Sequence, residues 1–168
     1  MMDFSAAVAK TDRRATHAQP EISVIVPIYN EVDNIALLHD RVSSALEQLG
    51  RSWELVLVND GSTDASPVLL DQIAAKDARV TVVHFRRNYG QTAAFMAGID
   101  HAAGTIIVPM DGDLQNDPND IAKLLGKLDE GFDVVSGWRK DQGQSGKTEP
   151  AEPTCQRADF ARIRRSPA

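Results

Sequence analysis

Cysteine is almost missing from this chain: Cys155 stands alone among 168 residues. A single thiol excludes an intramolecular disulfide framework and a cysteine-ligated zinc site, and it agrees with a reducing compartment. Long apolar runs are missing too. Nothing approaches the ~20 consecutive apolar residues of a membrane-spanning helix. Residues 1–20 mix Asp3, Lys10, Asp12, Arg13 and Arg14 with alanines, without the apolar centre of a signal peptide. Positive charge is not in excess. The 18 Lys and Arg face 24 Asp and Glu, a formal net charge of −6, which argues against a general nucleic-acid binder. No Gly-x-Gly-x-x-Gly follows the first apolar run and no Walker lysine motif occurs, which counts against dinucleotide oxidoreductase and P-loop chemistry.

What is present is the composition of an ordinary packed domain. The chain is 42% hydrophobic, too apolar for a mostly disordered protein, and its length suits one domain. After the polar leader of residues 1–20, apolar runs alternate with helical spacing. Residues 22–27 form a nearly continuous apolar run, suited to a strand buried on both faces. Residues 31–49 then place Ile35, Leu38, Val42, Ala45, Leu46 and Leu49 at helical intervals, with Gly50 as a stop. The order repeats: strands at 53–58, 80–85 and 105–110, each followed by a helix, at 64–76, 91–102 and 118–130. A fifth strand is expected at 132–136. Strands alternating with helices of this length predict an α/β fold, a Rossmann-like, mostly parallel sheet with helices on both faces.

In such sheets ligands bind beyond the carboxyl ends of the strands, and the polar residues concentrate there. The fourth strand is followed by Asp111-Gly112-Asp113-Leu114-Gln115. In extended backbone, residues two apart face the same way, so two carboxylates share one small volume and each raises the cost of ionising the other. A divalent cation, Mg²⁺ or Mn²⁺, resolves that conflict, taking one or two carboxylates plus substrate phosphates. Gln115 adds a neutral oxygen at the next position on the same side, and Gly112 leaves room for a phosphate. An ordinary acidic turn is the plainer reading of the tripeptide. Asp60, at the end of the second strand, is either a turn residue or an acceptor for a base or ribose. Thr63 or Asp64 caps the next helix. Tyr29 is a core-edge aromatic or a stacking face, Pro27 ends sheet pairing, and Asn30 and Glu31 suit a helix cap. Arg139, after the fifth strand, is a surface charge or a diphosphate contact. Arg86 and Arg87 read as surface. His39, His84 and His101 have no metal-ligand spacing, and no role follows for them.

Taken together, Ser23-Val24-Ile25-Val26-Pro27-Ile28-Tyr29-Asn30-Glu31, Val58-Asn59-Asp60-Gly61-Ser62-Thr63-Asp64, Asn88-Tyr89-Gly90-Gln91, Met110-Asp111-Gly112-Asp113-Leu114-Gln115 and Val135-Ser136-Gly137-Trp138-Arg139 resemble the family 2 glycosyltransferases of the GT-A fold. The resemblance is greatest to the branch that moves a sugar from a nucleotide-diphosphate donor onto a polyprenyl phosphate. It covers roughly residues 22–140. It implies nucleotide contacts at Pro27, Tyr29, Glu31, Val58 and Asp60. It implies metal and diphosphate contacts at Asp111, Asp113 and Gln115, with Asp111 and Asp113 as the catalytic pair, and an arginine near the donor phosphates at Arg139. Gly112 stands where many relatives carry alanine, so the donor sugar is not readable here. Residues 21–140 are then the donor-binding domain. Members of that branch continue well beyond this point, whereas residues 141–168 are rich in Gly, Pro and Arg and read as a mostly unstructured tail. The expectation is a truncated or frame-shifted member, weak or inactive as a catalyst, cytoplasmic or peripheral at the cytoplasmic face of the membrane. Two other readings stand beside the transferase: a nucleotide-sugar binding module without turnover, and a nucleotidyltransferase, which would normally carry a glycine-rich basic loop where Pro27–Glu31 has none.

Overall fold

The computed structural model describes residues 19–137 and 163–164. Strands β1 (Ile22–Ile28), β2 (Trp53–Asn59), β3 (Val80–His84) and β4 (Ile106–Pro109) alternate with helices α1 (Val32–Glu47), α2 (Ser66–Lys76), α3 (Gln91–His101) and α4 (Asp120–Asp129). A two-residue strand, β5 (Ile163–Arg164), completes a sheet of order β3-β2-β1-β4-β5. The first four strands are parallel and β5 runs antiparallel to β4.

Alternation along β1 divides the core. Ile22, Val24, Val26 and Ile28 point to one face, where they meet Ile35, Leu38, Val42 and Leu46 of α1, Leu70 of α2, and Ile121, Leu124 and Leu125 of α4. Ile25 points to the other face with Val56, Val58, Val83 and Ile107, under Ala94 of α3. Three helices therefore cover one face and α3 the other. The helix on the less crowded face lies close to the sheet, because Gly98 presents no side chain to it.

Pro27 does not end pairing outright, since it remains in register with Val58 of β2. Its missing N–H falls on the opposite edge. The Ile25 carbonyl accepts from Met110 N at 2.9 Å, and the register with β4 ends at Ile25–Pro109. Two residues on, the same edge of β1 has no ladder to continue, so proline is tolerated.

The expected strand at 132–136 is not formed. Ser136 makes an isolated bridge, and Phe132 and Val134 are 56% and 61% exposed. Apolar, β-branched composition favours a strand only where a partner and a covered face exist. The edge of β4 pairs instead with Ile163–Arg164, two residues inside the stretch expected to be mostly unstructured. The rest of that stretch, the leader up to residue 18, Trp138 and Arg139 lie outside the described residues. The helices are shorter than their sequence patterns by one or two residues at most ends, as fraying allows.

On the face of α1 and α2, a charged cluster ties helix to strand. Arg79 stacks on Trp53 with its guanidinium carbon 4.0 Å from the ring centre. Its Nη2 donates to Asp77 at 2.9 Å and its Nη1 to Glu47 at 3.0 Å. His39 of α1 lies 3.3 Å from the same Asp77 carboxylate. The Arg79 guanidinium first, then the Arg79 backbone N–H and His39, lower the Asp77 carboxyl from 3.8 to about 2.

Two outcomes follow. A Cβ at position 98 would lie 2.2 Å from Ile25 Cγ2, and Ile25 is fully buried. Alanine in a helix normally gains about 1 kcal/mol over glycine, but overpacking here costs roughly 1–3 kcal/mol, so Gly98→Ala should lower the urea midpoint. For Asp77, the folded value lies below the unfolded one, so its stabilisation is complete above 3.8 and is lost as pH falls toward about 2. The loss should be about 2 kcal/mol. Asp77→Asn should be less stable than wild type at pH 7 and should lose correspondingly less between pH 5 and pH 2, measured by urea denaturation.

Candidate functional site

Four loops meet at the carboxyl edge of the sheet, following β1, β2, β3 and β4. They enclose a cavity of about 310 Å³ lined by Pro27, Tyr29 and Glu31 from the first, Asp60 from the second, Asn88, Gly90 and Gln91 from the third, and Asp111, Gly112 and Asp113 from the fourth.

The first two loops are stitched together. Asn30 has φ 54°, a left-handed conformation that asparagine tolerates better than most residues. Its N–H donates to Ser62 Oγ at 3.0 Å, and its Oδ1 accepts the Thr63 N–H at 2.8 Å. Glu31 N donates to Ser66 Oγ at 3.1 Å. Asp64 does not cap by the usual route, since Ala65 is the residue before α2 and makes no side-chain cap. Asp64 instead bridges the two helix starts, accepting from Ser66 N at 2.9 Å and Val32 N at 3.3 Å. Hydrogen bonding, from the Ser66 side chain above all, holds its carboxyl below the usual range.

The second and third loops interlock through Asp60. Its carboxylate is 3% exposed, with Oδ1 accepting Tyr89 N at 2.7 Å and Oδ2 accepting Gly90 N at 2.9 Å. Gly61, at φ +68°, lies against the backbone of Arg87 and Asn88, where a Cβ would be 2.2 Å from the Arg87 carbonyl carbon. Tyr89 packs edge-on to Phe85 with ring centres 5.4 Å apart and has Arg87 over its face. Asp60 thus fixes the third loop and lines the cavity at the same time.

The fourth loop departs from the extended geometry expected of it. β4 ends at Pro109. Asp111 and Asp113 both reach the cavity, but Leu114 takes φ 61° and Asp113 Oδ1 accepts the N–H of Gln115 at 3.0 Å. The chain therefore turns after Asp113. Gln115 lines a neighbouring cavity of about 590 Å³ with Arg41 and Ser44 of α1 and Gln48 just after it and does not share the carboxylates' face. The same-side expectation fails because strand alternation stops where the strand does. Gly112 leaves close quarters behind it, since a Cβ there would be 2.9 Å from Ile28 Cδ1.

Val58 is likewise not at the cavity. It is fully buried on the α3 face, two residues before Asp60. Arg139 lies outside the described residues. Sequence reasoning quoted the third loop, Asn88 to Gln91, only as part of the family resemblance and gave its residues no role. Gln91, the first residue of α3, donates from Nε2 to Asp111 Oδ1 at 2.5 Å. The available signal was positional: Gly90 precedes a helix at the carboxyl end of a strand, takes φ +91°, and places the positive end of α3 at the cavity.

Among the described residues no three His, Cys, Asp or Glu side chains cluster as a metal site. Two carboxylates lining one cavity, with glycine between them, still fit a Mg²⁺ or Mn²⁺ ion that takes its other ligands from substrate phosphate and water. They do not fit a metal held by protein alone.

The chain is 42% identical, over 126 residues, to the undecaprenyl-phosphate 4-deoxy-4-formamido-L-arabinose transferases of Salmonella paratyphi B and Salmonella newport. The match takes in 74% of this chain and 38% of each relative's length. Among solved structures it resembles the mannosyltransferase PcManGT from Pyrobaculum calidifontis in complex with GDP-Man and Mn²⁺, with a TM-score of 0.66 at 21% identity, covering 88% of this chain and 45% of that one. It also resembles S. aureus TarS 1–349 in complex with UDP-GlcNAc, with a TM-score of 0.60 at 20% identity over 86% of this chain and 45% of that one. These structures share the α/β fold. The sequence model of the family described as "Glycosyl transferase family 2" matches residues 23–165, nearly the whole chain, and the protein belongs to that family.

Proposed function

We propose that this domain binds the nucleoside-diphosphate part of a nucleotide-sugar donor and serves transfer of the sugar to a polyprenyl phosphate. The observation that carries the reading is the convergence of Pro27, Tyr29, Glu31, Asp60, Asp111 and Asp113 on one cavity at the carboxyl edge of the sheet. The relatives named for undecaprenyl phosphate support the acceptor class, and the neighbours holding GDP-Man or UDP-GlcNAc support the donor class.

In this reading Tyr29, 47% exposed, offers a ring face to the base, and Asp60 and Glu31 accept hydrogen bonds from base or ribose. Asp111 and Asp113 would hold Mg²⁺ or Mn²⁺. When bound, the ion neutralises charge on the departing diphosphate as a Lewis acid. The positive end of α3 favours the same negative charge, and Gln91 orients the Asp111 carboxylate toward the cavity. An acceptor phosphate monoester is already anionic near neutral pH. Its oxygen can attack the anomeric carbon as the nucleoside diphosphate leaves, without a strong general base, so positioning and charge stabilisation dominate.

The acceptor is a lipid, which places the reaction at a membrane surface. The cytoplasmic face of the membrane is the location proposed; among the described residues no helix is long and apolar enough to cross it. The chain matches 38% of its relatives' length, and for that stretch by itself a binding module without turnover is the second reading. Incubation with sugar nucleotides and polyprenyl phosphate separates the two, since only the transferase releases free nucleoside diphosphate.

Calorimetry with UDP and with GDP, with and without Mn²⁺, tests the site. Wild type should bind one nucleotide more tightly with metal. Asp113→Ala should lose about tenfold or more of that affinity, the magnitude of a charge-assisted contact; affinity equal to wild type would remove Asp113 from the site. Asp60→Asn keeps the shape but turns an NH₂ toward one backbone donor. It should weaken nucleotide binding and speed hydrogen exchange at Tyr89 and Gly90, at a stability cost of roughly 1–3 kcal/mol. Unchanged exchange would mean the carboxylate does not hold the loop.

A further inference from the structure

His84 closes β3, and nothing in the proposed reaction uses it. It lies beside the cavity's wall. Asn59, its register partner on β2, is 3% exposed and is held at both ends of its amide. Oδ1 accepts the Ser62 N–H at 2.9 Å, and Nδ2 lies 2.9 Å from His84 Nδ1. On the far side of the ring, Nε2 lies 3.1 Å from Asp71 Oδ1, whose side chain is 71% exposed on α2.

These three contacts determine one another. The Asn59 oxygen is committed to Ser62, so its NH₂ faces the ring. An NH₂ only donates, so Nδ1 must carry the lone pair and the proton must be on Nε2, donated to Asp71. We propose that His84, through Asn59, is a positioning residue for the nucleotide-facing turn at residues 59–62. It holds that turn only as the neutral Nε2–H tautomer, so protonation of the ring loosens donor binding. The inference rests on the nucleotide reading of the cavity.

A second proton on Nδ1 would point at the Asn59 NH₂. Rotating the amide satisfies the ring but aims the NH₂ at the Ser62 N–H. One hydrogen bond is lost either way. The groups facing the ring are the Asp71 carboxylate from α2 and the Asn59 amide from β2. The loss does not stay local. Ser62 Oγ accepts the Asn30 N–H, next to Tyr29, and Asn59 directly precedes Asp60, which carries Tyr89 and Gly90. Slack in the turn therefore reaches three of the cavity's loops.

The test uses the full chain, ¹⁵N-labelled, titrated from pH 8 to pH 5. Without ligand, imidazole nitrogen spectra should show the Nε2–H tautomer of His84, and the Ser62 and Asn30 amide signals should shift with the same midpoint as the ring. An Nδ1–H tautomer, or a Ser62 amide indifferent to the ring's titration, would overturn the proposal. These spectra need no nucleotide, so they decide the coupling even if UDP and GDP fail to bind, an outcome that would sink the donor reading instead. With nucleotide, calorimetry should show affinity falling about fivefold across that midpoint, the worth of one neutral hydrogen bond. His84→Asn puts a carbonyl oxygen where the ring has Nδ1 and cannot take up the proton. It should keep the pH 8 affinity within about twofold and flatten that pH step. His84→Leu, which offers the Asn59 NH₂ no acceptor, should bind at pH 8 as weakly as wild type does once the ring is protonated. If His84→Asn retained the wild-type step, the titrating group would be another one and the assignment would fail.

Discussion

A buried carboxylate at the end of β2 sets the shape of the site. Asp60 is surrounded by backbone rather than by cations, and both its oxygens are occupied by N–H groups of the loop that leads into α3. Parallel strands leave their carboxyl ends without partners, and a loop there needs something to accept its N–H groups. One side chain does this for two consecutive residues. It thereby fixes where α3 begins and where the positive end of that helix points. Gly61 makes the approach possible, since any side chain at that position would meet the Arg87 backbone.

The rest of the rim is built outward from that junction. Ser62 and Asn30 join the second loop to the first, Asp64 joins the starts of α1 and α2, and Gln91 joins α3 to Asp111. Each link is a short polar side chain bonded to backbone or amide across a gap of about thirty residues or fewer in sequence. A cavity assembled in this way sets the Asp60, Asp111 and Asp113 carboxylates, Gln91 and the start of α3 on a fixed frame, which suits a charged ligand with its cation more than an apolar one. The chain belongs to glycosyl transferase family 2, and it shares its fold with structures that hold GDP-Man or UDP-GlcNAc.

Much of this was readable from the residues. Apolar runs gave β1 to β4 to within a residue or two, because a strand buried on both faces must be apolar throughout, as the burial of β1 and β2 shows. Helical spacing gave α1 and α4 for the matching reason, since each buries one stripe. Asp111 and Asp113 were found by their place after an apolar strand. The expected strand at 132–136 failed because pairing is not encoded in five residues. Val135 packs against the core in part, while Phe132 and Val134 before it are exposed.

Sequence by itself determined the fold class, the strand order's parallel sense and the two carboxylates at the rim, because periodicity and strand-end position are local properties. Only the tertiary structure decided which neighbours share the cavity. The turn at Leu114 sends Gln115 to the far side of the loop, Val58 points into the α3 face rather than the rim, and Gln91 and His84 acquire partners twenty and twenty-five residues away. Those outcomes depend on loop dihedrals and on contacts between elements distant along the chain, and neither is written in the spacing of the residues.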